Sequence, residues 1–170
     1  VVSTSAFAPM DATIVTFAND VRLIVKPTDF KKEEIFVSLR TGTGLLEIPK
    51  DRFDPVLLAP AFYTAGGLGK LTADEMSRVL AGRFYGLNLG VDDGFYRFSG
   101  GTRPVDLDLQ MQVMAAYLTD PGLRPAPFEM FKSYYPQILA QSVTTPSGAY
   151  SVKASADLAN GDLRIVSPSV

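Results

Sequence analysis

Residues 13–27 read TIVTFANDVRLIVKP, and this stretch sets the pattern for the first part of the fold. Thr13–Phe17 and Val21–Lys26 have strand character, and in the second run apolar and polar side chains alternate as in a β-strand with one buried face. Ala18-Asn19-Asp20 between the two runs is typical of a turn, so the stretch predicts a β-hairpin. Pro27 lacks a backbone N–H and therefore ends the pairing.

The chain continues with a third strand and two helices. The strand is predicted over Glu34–Thr41, in which every second residue is apolar. The first helix is predicted to start at Asp54-Pro55, as N-cap and first helical residue, with Pro60 expected to kink or shorten it. The second starts with the capping box of Thr72 and Glu75, and its expected buried residues are Met76, Val79 and Leu80.

The same order then repeats. Strands are predicted over Arg83–Val91 and Phe95–Gly101, joined by a turn at Asp92-Asp93-Gly94. A long helix follows Pro104, and apolar spacing predicts a buried stripe of Leu107, Met111, Met114 and Leu118. A last helix is predicted from Pro127 to about Gln141, with a bend at Pro136 and a buried face of Phe128, Phe131, Tyr135 and Ile138.

Strands that follow one another pair as hairpins, so the order predicts an α+β fold with a largely antiparallel sheet and helices packed on one face. This domain is expected over residues 13–141. Residues 1–12 are predicted to be a linker or irregular segment. Residues 142–170 are rich in Ser, Thr, Pro and Gly and are predicted to be an irregular, truncated extension. The start at Val1 without Met suggests a processed protein or a piece of a longer one.

Composition excludes several kinds of chemistry. The 170 residues contain no histidine and no cysteine, which excludes the usual zinc site, disulfides and serine–histidine or cysteine–histidine catalysis. The net charge of −2 argues against a nucleic-acid surface. No apolar run approaches the length of a membrane span.

Short motifs are better explained by structure than by chemistry. Residues 66–72 read GGLGKLT, which lacks the Gly-Lys-Ser/Thr order of a phosphate loop and is predicted to be a turn between helices. Asp92-Asp93-Gly94 lacks the later ligands of a calcium loop. Asp106 and Asp108 are two apart on a helix and cannot converge as a carboxylate pair. The aromatic pairs Phe95-Tyr96 and Tyr134-Tyr135 favour packing over a substrate groove.

Residues 17–31, FANDVRLIVKPTDFK, resemble the opening of a later domain in large pitrilysin/insulinase-type zinc peptidases. The resemblance runs from about Ala12 to Gln141, with a weaker echo at Leu158–Asp162. Its further matches are Gly67-Leu68-Gly69 before Thr72–Met76, Leu80-Ala81-Gly82, and Tyr117–Pro121 before Phe128.

The resemblance implies that the catalytic positions are lost. In catalytic domains of this family, an H-x-x-E-H motif on the first helix and a glutamate on a later helix form the zinc site. The matching positions here are Leu58, Ala61 and Phe62, with the distal ligand falling in Tyr134–Leu139, and none carries a zinc ligand. No catalytic or metal-binding residue is therefore assigned, and the chain alone is expected to be inactive and to need no cofactor, with zinc only in a catalytic domain of the parent.

The function that follows from the resemblance is a non-catalytic structural domain of a zinc peptidase, which contributes to a substrate chamber and to interdomain contacts. Its implied partners are sibling domains, including a catalytic half, and the peptide substrate of the parent. A homodimer through an exposed face is a further hypothesis. Bacterial relatives suggest the periplasm or cell envelope. One alternative is an independent binding or scaffold module on the same fold, like the respiratory-complex core proteins that resemble this family. A weaker alternative is a carboxylate enzyme that uses Mg²⁺ or Ca²⁺.

Overall fold

A computed structural model of the chain describes residues 1–49, 52–160 and 162. It confirms the α+β class and the antiparallel pairing, which is distributed over two three-stranded sheets. The chain divides into two compact units, with the boundary between Glu34 and Ile35.

The first unit is a sheet of three antiparallel strands in the order β1 (Ser3–Phe7), β2 (Ala12–Thr16) and β3 (Arg22–Val25). The predicted hairpin is confirmed, because β2 and β3 pair with Ile14 opposite Ile24. The prediction that residues 1–12 are irregular is wrong, since β1 pairs along the whole of β2. The sequence STSAF carries no apolar alternation, so its strand conformation comes from pairing rather than from its own pattern.

The sheet of the second unit has the order β4 (Ile35–Thr41), β6 (Tyr96–Thr102) and β5 (Asn88–Val91). The strands are again antiparallel, and Phe98 at the centre lies opposite Leu39 on one side and Leu89 on the other. The predicted turn at residues 92–94 is confirmed, with the Asp92 N–H donating to the Phe95 carbonyl at 3.0 Å.

Five α-helices complete the described chain: α1 (Phe53–Phe62), α2 (Ala73–Val79), α3 (Leu107–Thr119), α4 (Pro125–Ser142) and α5 (Pro146–Ala159). The prediction of an irregular segment from residue 142 is wrong for α5. The Thr145 hydroxyl caps this helix by accepting from the Gly148 N–H at 3.1 Å. Residues 161 and 163–170 of the predicted extension lie outside the described residues.

The predicted boundaries of α1 are also corrected. The helix begins at Phe53, with Arg52 rather than Asp54 at the N-cap position, and it continues through Pro60 to Phe62. The capping box of α2 is confirmed, because Thr72 N–H donates to the Glu75 carboxylate at 2.8 Å and Glu75 N–H donates to the Thr72 hydroxyl at 3.2 Å.

The buried faces of three helices differ from the apolar stripes expected. On α3 the buried residues are Gln110, Val113, Met114 and Tyr117, whereas Met111 and Leu118 are exposed. Val79, Phe128 and Ile138, expected in the core from α2 and α4, are exposed as well. The predicted α3 stripe is confirmed at Met114 and wrong at Met111 and Leu118. Two of the core positions are instead a glutamine and a tyrosine, each hydrogen-bonded.

Residues 83–87, predicted as strand, are irregular because buried side chains take their backbone hydrogen bonds. The Gln110 carboxamide accepts from Gly86 N–H at 2.9 Å and donates to Gly86 carbonyl at 2.8 Å. The Thr102 hydroxyl donates to the Phe84 carbonyl at 2.7 Å. The strand β5 therefore begins only at Asn88.

The Gln110 carboxamide gives the first testable prediction. Gln110→Leu leaves both backbone groups of Gly86 without partners, and each buried unpaired group costs about 1–3 kcal/mol. We expect the free energy of unfolding to fall by roughly 2 kcal/mol or more in urea denaturation. Gln112→Leu, at an exposed position of the same helix, is the matched control and should change it by less than about 0.5 kcal/mol. Equal effects of the two substitutions would contradict the role of Gln110.

Candidate functional site

The three positions that match the zinc motif lie together near the end of α1. Leu58 and Phe62 are one helical turn apart and half-buried, and Ala61 is exposed. This is the spacing at which two ligands and a general base could share one helix. The side chains present are aliphatic and aromatic, so they offer no lone pair to a metal and no group that activates water.

The segment matched to the distal ligand, Tyr134–Leu139, lies on α4, and α4 contacts α1. The contact is aromatic. The ring of Phe62 lies 5.2 Å from that of Phe128 and 5.9 Å from that of Phe131, measured between centroids. Phe131 stacks on Tyr135 at 4.8 Å. We call these four rings the aromatic contact. The structure thus brings together the two helices that the resemblance pairs, and joins them through packing.

The aromatic contact suits an apolar interface and not zinc. Edge-to-face and offset rings contribute about 0.5–1.5 kcal/mol per pair beyond the area they bury. Within residues 1–49, 52–160 and 162, no three Asp, Glu, His or Cys side chains lie close enough together to hold a metal ion. The residues present at this position therefore do not fit a zinc ion.

Asp106, at the start of α3, is a buried ionisable residue whose carboxylate has several hydrogen-bond partners. Its buried carboxylate accepts from Arg103 at 2.6 Å, from the Phe84 N–H at 3.0 Å and from Arg83 at 3.1 Å. These hydrogen bonds, that from Arg103 first, hold the pKa of Asp106 below its ordinary value. Every partner belongs to the protein, so Asp106 acts as a structural anchor.

The prediction that Asp106 and Asp108 do not form a carboxylate pair is confirmed, since Asp106 is buried and Asp108 is exposed. It did not indicate that Asp106 binds two arginines. The only available signal is the spacing of Arg103 and Asp106, three residues apart at a helix start, because Arg83 comes from a distant part of the chain.

The glycine-rich residues 66–72 form the predicted turn between helices. The Arg124 guanidinium donates to the carbonyls of Gly66, Leu68 and Gly69. Carbonyl oxygens thus face a cation, which is the opposite polarity to a loop that presents N–H groups to a phosphate. Gly67 has a φ of 69° and meets residues 71–73 so closely that a side chain would collide with their backbone.

The aromatic pairs are divided between packing and surface. Tyr135 is buried in the aromatic contact, whereas Tyr134 is exposed. The guanidinium of Arg40 lies 4.7 Å from the centre of the Phe95 ring, as in a cation–π contact. Tyr135 fits the packing role that the sequence favoured, whereas Tyr134 lies at the surface.

A cleft of about 380 Å³ lies elsewhere in the second unit and is lined by Thr64, Ala73, Met76, Tyr85, Gly86, Leu87 and Tyr117. The Tyr117 hydroxyl donates to the Thr64 carbonyl at 3.0 Å, and burial raises the pKa of Tyr117. None of these seven described residues carries a charge at neutral pH, so they supply neither an ionised base nor an activated nucleophile.

Comparison with solved structures shows which proteins share this fold. No protein-family profile and no curated protein matches the chain. Among solved structures, the periplasmic protease PqqL from Escherichia coli superposes with a TM-score of 0.76 over 92% of this chain, at 16% identity. The chain has the fold of part of PqqL. It spans 17% of the length of PqqL.

A second protease has the same fold. The ferredoxin protease FusC, solved as a point mutant in complex with Arabidopsis ferredoxin, superposes with a TM-score of 0.67 over 90% of this chain, at 13% identity. The chain again spans only 17% of that protein. The likeness to PqqL and FusC thus extends over nearly all of this chain and a small part of either protease.

The pKa of Asp106 predicts how stability depends on pH. Because this pKa is lowered in the folded state, the stabilisation is present above the unfolded value of about 3.9 and is lost as pH falls through the folded value. Asp106→Asn should therefore have a lower melting temperature than the wild type at pH 7, and the difference should shrink below about pH 4. Asp108→Asn is the matched control. A difference that is constant from neutral to strongly acidic pH would contradict the assignment.

The aromatic contact predicts a graded loss of stability. Phe131→Ala removes a buried ring that touches three others and should cost about 3–5 kcal/mol in urea denaturation. Met130→Ala, at the exposed neighbouring position, should cost less than about 1 kcal/mol. If the two substitutions cost the same, α1 and α4 are not joined through Phe131.

Proposed function

We propose that this chain is a non-catalytic domain of a larger pitrilysin/insulinase-type zinc peptidase. In that protein it forms part of the wall of the substrate chamber and packs against sibling domains. Zinc and water activation belong to a separate catalytic domain of the same polypeptide.

The observation that carries the proposal is the aromatic contact between α1 and α4. Two of its four rings lie at positions matched to the zinc ligands of the catalytic domains, Phe62 on α1 and Tyr135 on α4. The ring of Phe131, outside the matched segment, contacts both. Apolar residues here remove the need to satisfy buried ligands and join the two helices by packing instead. The likeness to PqqL and FusC over at least 90% of this chain supports a domain of a protease.

Two further features of the proposal are drawn from the neighbours. FusC is in complex with ferredoxin, which supports a protein or a large peptide as the substrate of the parent. PqqL is periplasmic, which supports a periplasmic or envelope location. None of the helices in the described residues is long and apolar enough to cross a membrane.

The proposal predicts that the purified chain lacks activity of its own. After incubation with zinc and dialysis, we expect well below one equivalent of zinc by elemental analysis and no hydrolysis of unstructured peptides, because no ligand set or base is present at the matched positions. Stoichiometric zinc or robust hydrolysis would overturn the proposal. Stoichiometric Mg²⁺ or Ca²⁺ would favour a carboxylate enzyme instead.

The full-length gene product provides the positive arm of the same test. We expect an H-x-x-E-H motif in another domain, and replacement of its glutamate by glutamine should abolish proteolysis. Leu58→Ala in the present domain should leave kcat within about threefold of wild type, because Leu58 does not touch reacting atoms. A reading frame without such a domain would favour an independent scaffold module.

A further inference from the structure

Helix α4 is apolar over about half of its circumference, and the described chain covers only part of that arc. Phe131 and Tyr135 are buried. Beside them, a second row of large apolar side chains follows the helix at intervals of four residues: Met130, Tyr134 and Ile138 are 63%, 39% and 47% exposed. We call this row the α4 stripe. Residues four apart share one face of a helix, so the α4 stripe is a continuous surface over about two turns.

The charged residues of α4 avoid this row. Glu129 and Lys132 lie on the remaining, exposed part of the helix. At about 100° per residue, they are directed away from the arc that contains the α4 stripe. Two apolar rows side by side, one buried and one exposed, indicate a helix that packs on two sides, with one partner supplied by its own chain.

We propose that the α4 stripe is the surface by which this domain packs against another domain of the same polypeptide. The inference rests on the proposed function, which makes the chain part of a longer protein, and it identifies the face involved. The chain spans only 17% of PqqL and of FusC, so the same fold occurs there within a much longer polypeptide.

The size of the α4 stripe favours a tethered partner over a second copy of the chain. A stable dimer buries roughly 800 Å² on each partner, which three partly exposed side chains do not supply. Two domains of one polypeptide meet at a millimolar effective concentration, so a smaller interface is sufficient. Interfaces between domains of one chain resemble transient protein–protein interfaces and are more polar than obligate ones.

Methionine oxidation can test the inference, because the five methionines sample different environments. Met10, Met111 and Met130 are 56%, 47% and 63% exposed, whereas Met76 and Met114 are 4% and 1% exposed. The isolated chain and the full-length protein are treated with dilute hydrogen peroxide, and the sulfoxide at each position is followed by peptide mass spectrometry. In the isolated chain, Met130 should oxidise at least as fast as Met111, and Met76 and Met114 should be protected.

In the full-length protein, oxidation of Met130 should slow by about tenfold or more relative to the isolated chain, and relative to Met111 in the same sample. Ile138→Gln in the full-length protein should restore part of the oxidation rate at Met130, whereas Lys132→Gln, on the charged side of the helix, should not. An unchanged rate at Met130 in a multidomain protein would overturn the inference and leave the proposed function standing.

Other occupants of the α4 stripe give distinct results. Protection of Met130 that rises with the concentration of the isolated chain, together with a dimer in light scattering, would assign the surface to a second copy and overturn the inference. Protection that appears only when a peptide substrate is added would assign it to the substrate, with the same consequence. A reading frame that encodes no other domain would refute the proposed function itself.

Discussion

The Asp106 carboxylate is the contact on which the middle of the second unit depends. It lies at the start of α3 and binds two arginines and the backbone of Phe84, so it connects the segment after α2 to the helix that supplies the core. One turn further along, Gln110 holds Gly86 by both backbone groups. These buried polar groups are fully paired, which is the condition under which burial of polar atoms does not cost stability.

This anchoring determines where the sheet ends. Residues 83–87 belong to the strand that the sequence predicts, yet their backbone groups bond to the side chains of Gln110 and Thr102, and the ladder starts at Asn88. The backbones of Gly86 and Gly100 also lie so close together that a side chain at Gly100 would collide with the Gly86 carbonyl. Tyr85, Gly86 and Leu87 of this segment line one side of the cleft.

Helices α1 and α4 are joined by aromatic packing. Phe62 of α1 contacts Phe128 and Phe131 of α4, and Tyr135 of α4 stacks on Phe131. Such a contact keeps two helices together without a metal and without buried carboxylates that need partners.

Several features follow from neighbouring residues or residue identity alone: the hairpin after Thr13, the capping box at Thr72, the turn at residues 92–94, and the absence of histidine and cysteine as zinc ligands. Each follows from local backbone chemistry or from residue identity alone. Which face of each helix is buried depends on the tertiary structure. β1 became a strand by pairing with β2, and the α3 core includes Gln110 and Tyr117 in place of Met111 and Leu118. Burial of a polar side chain depends on partners distant in the chain, and no local pattern records where they lie.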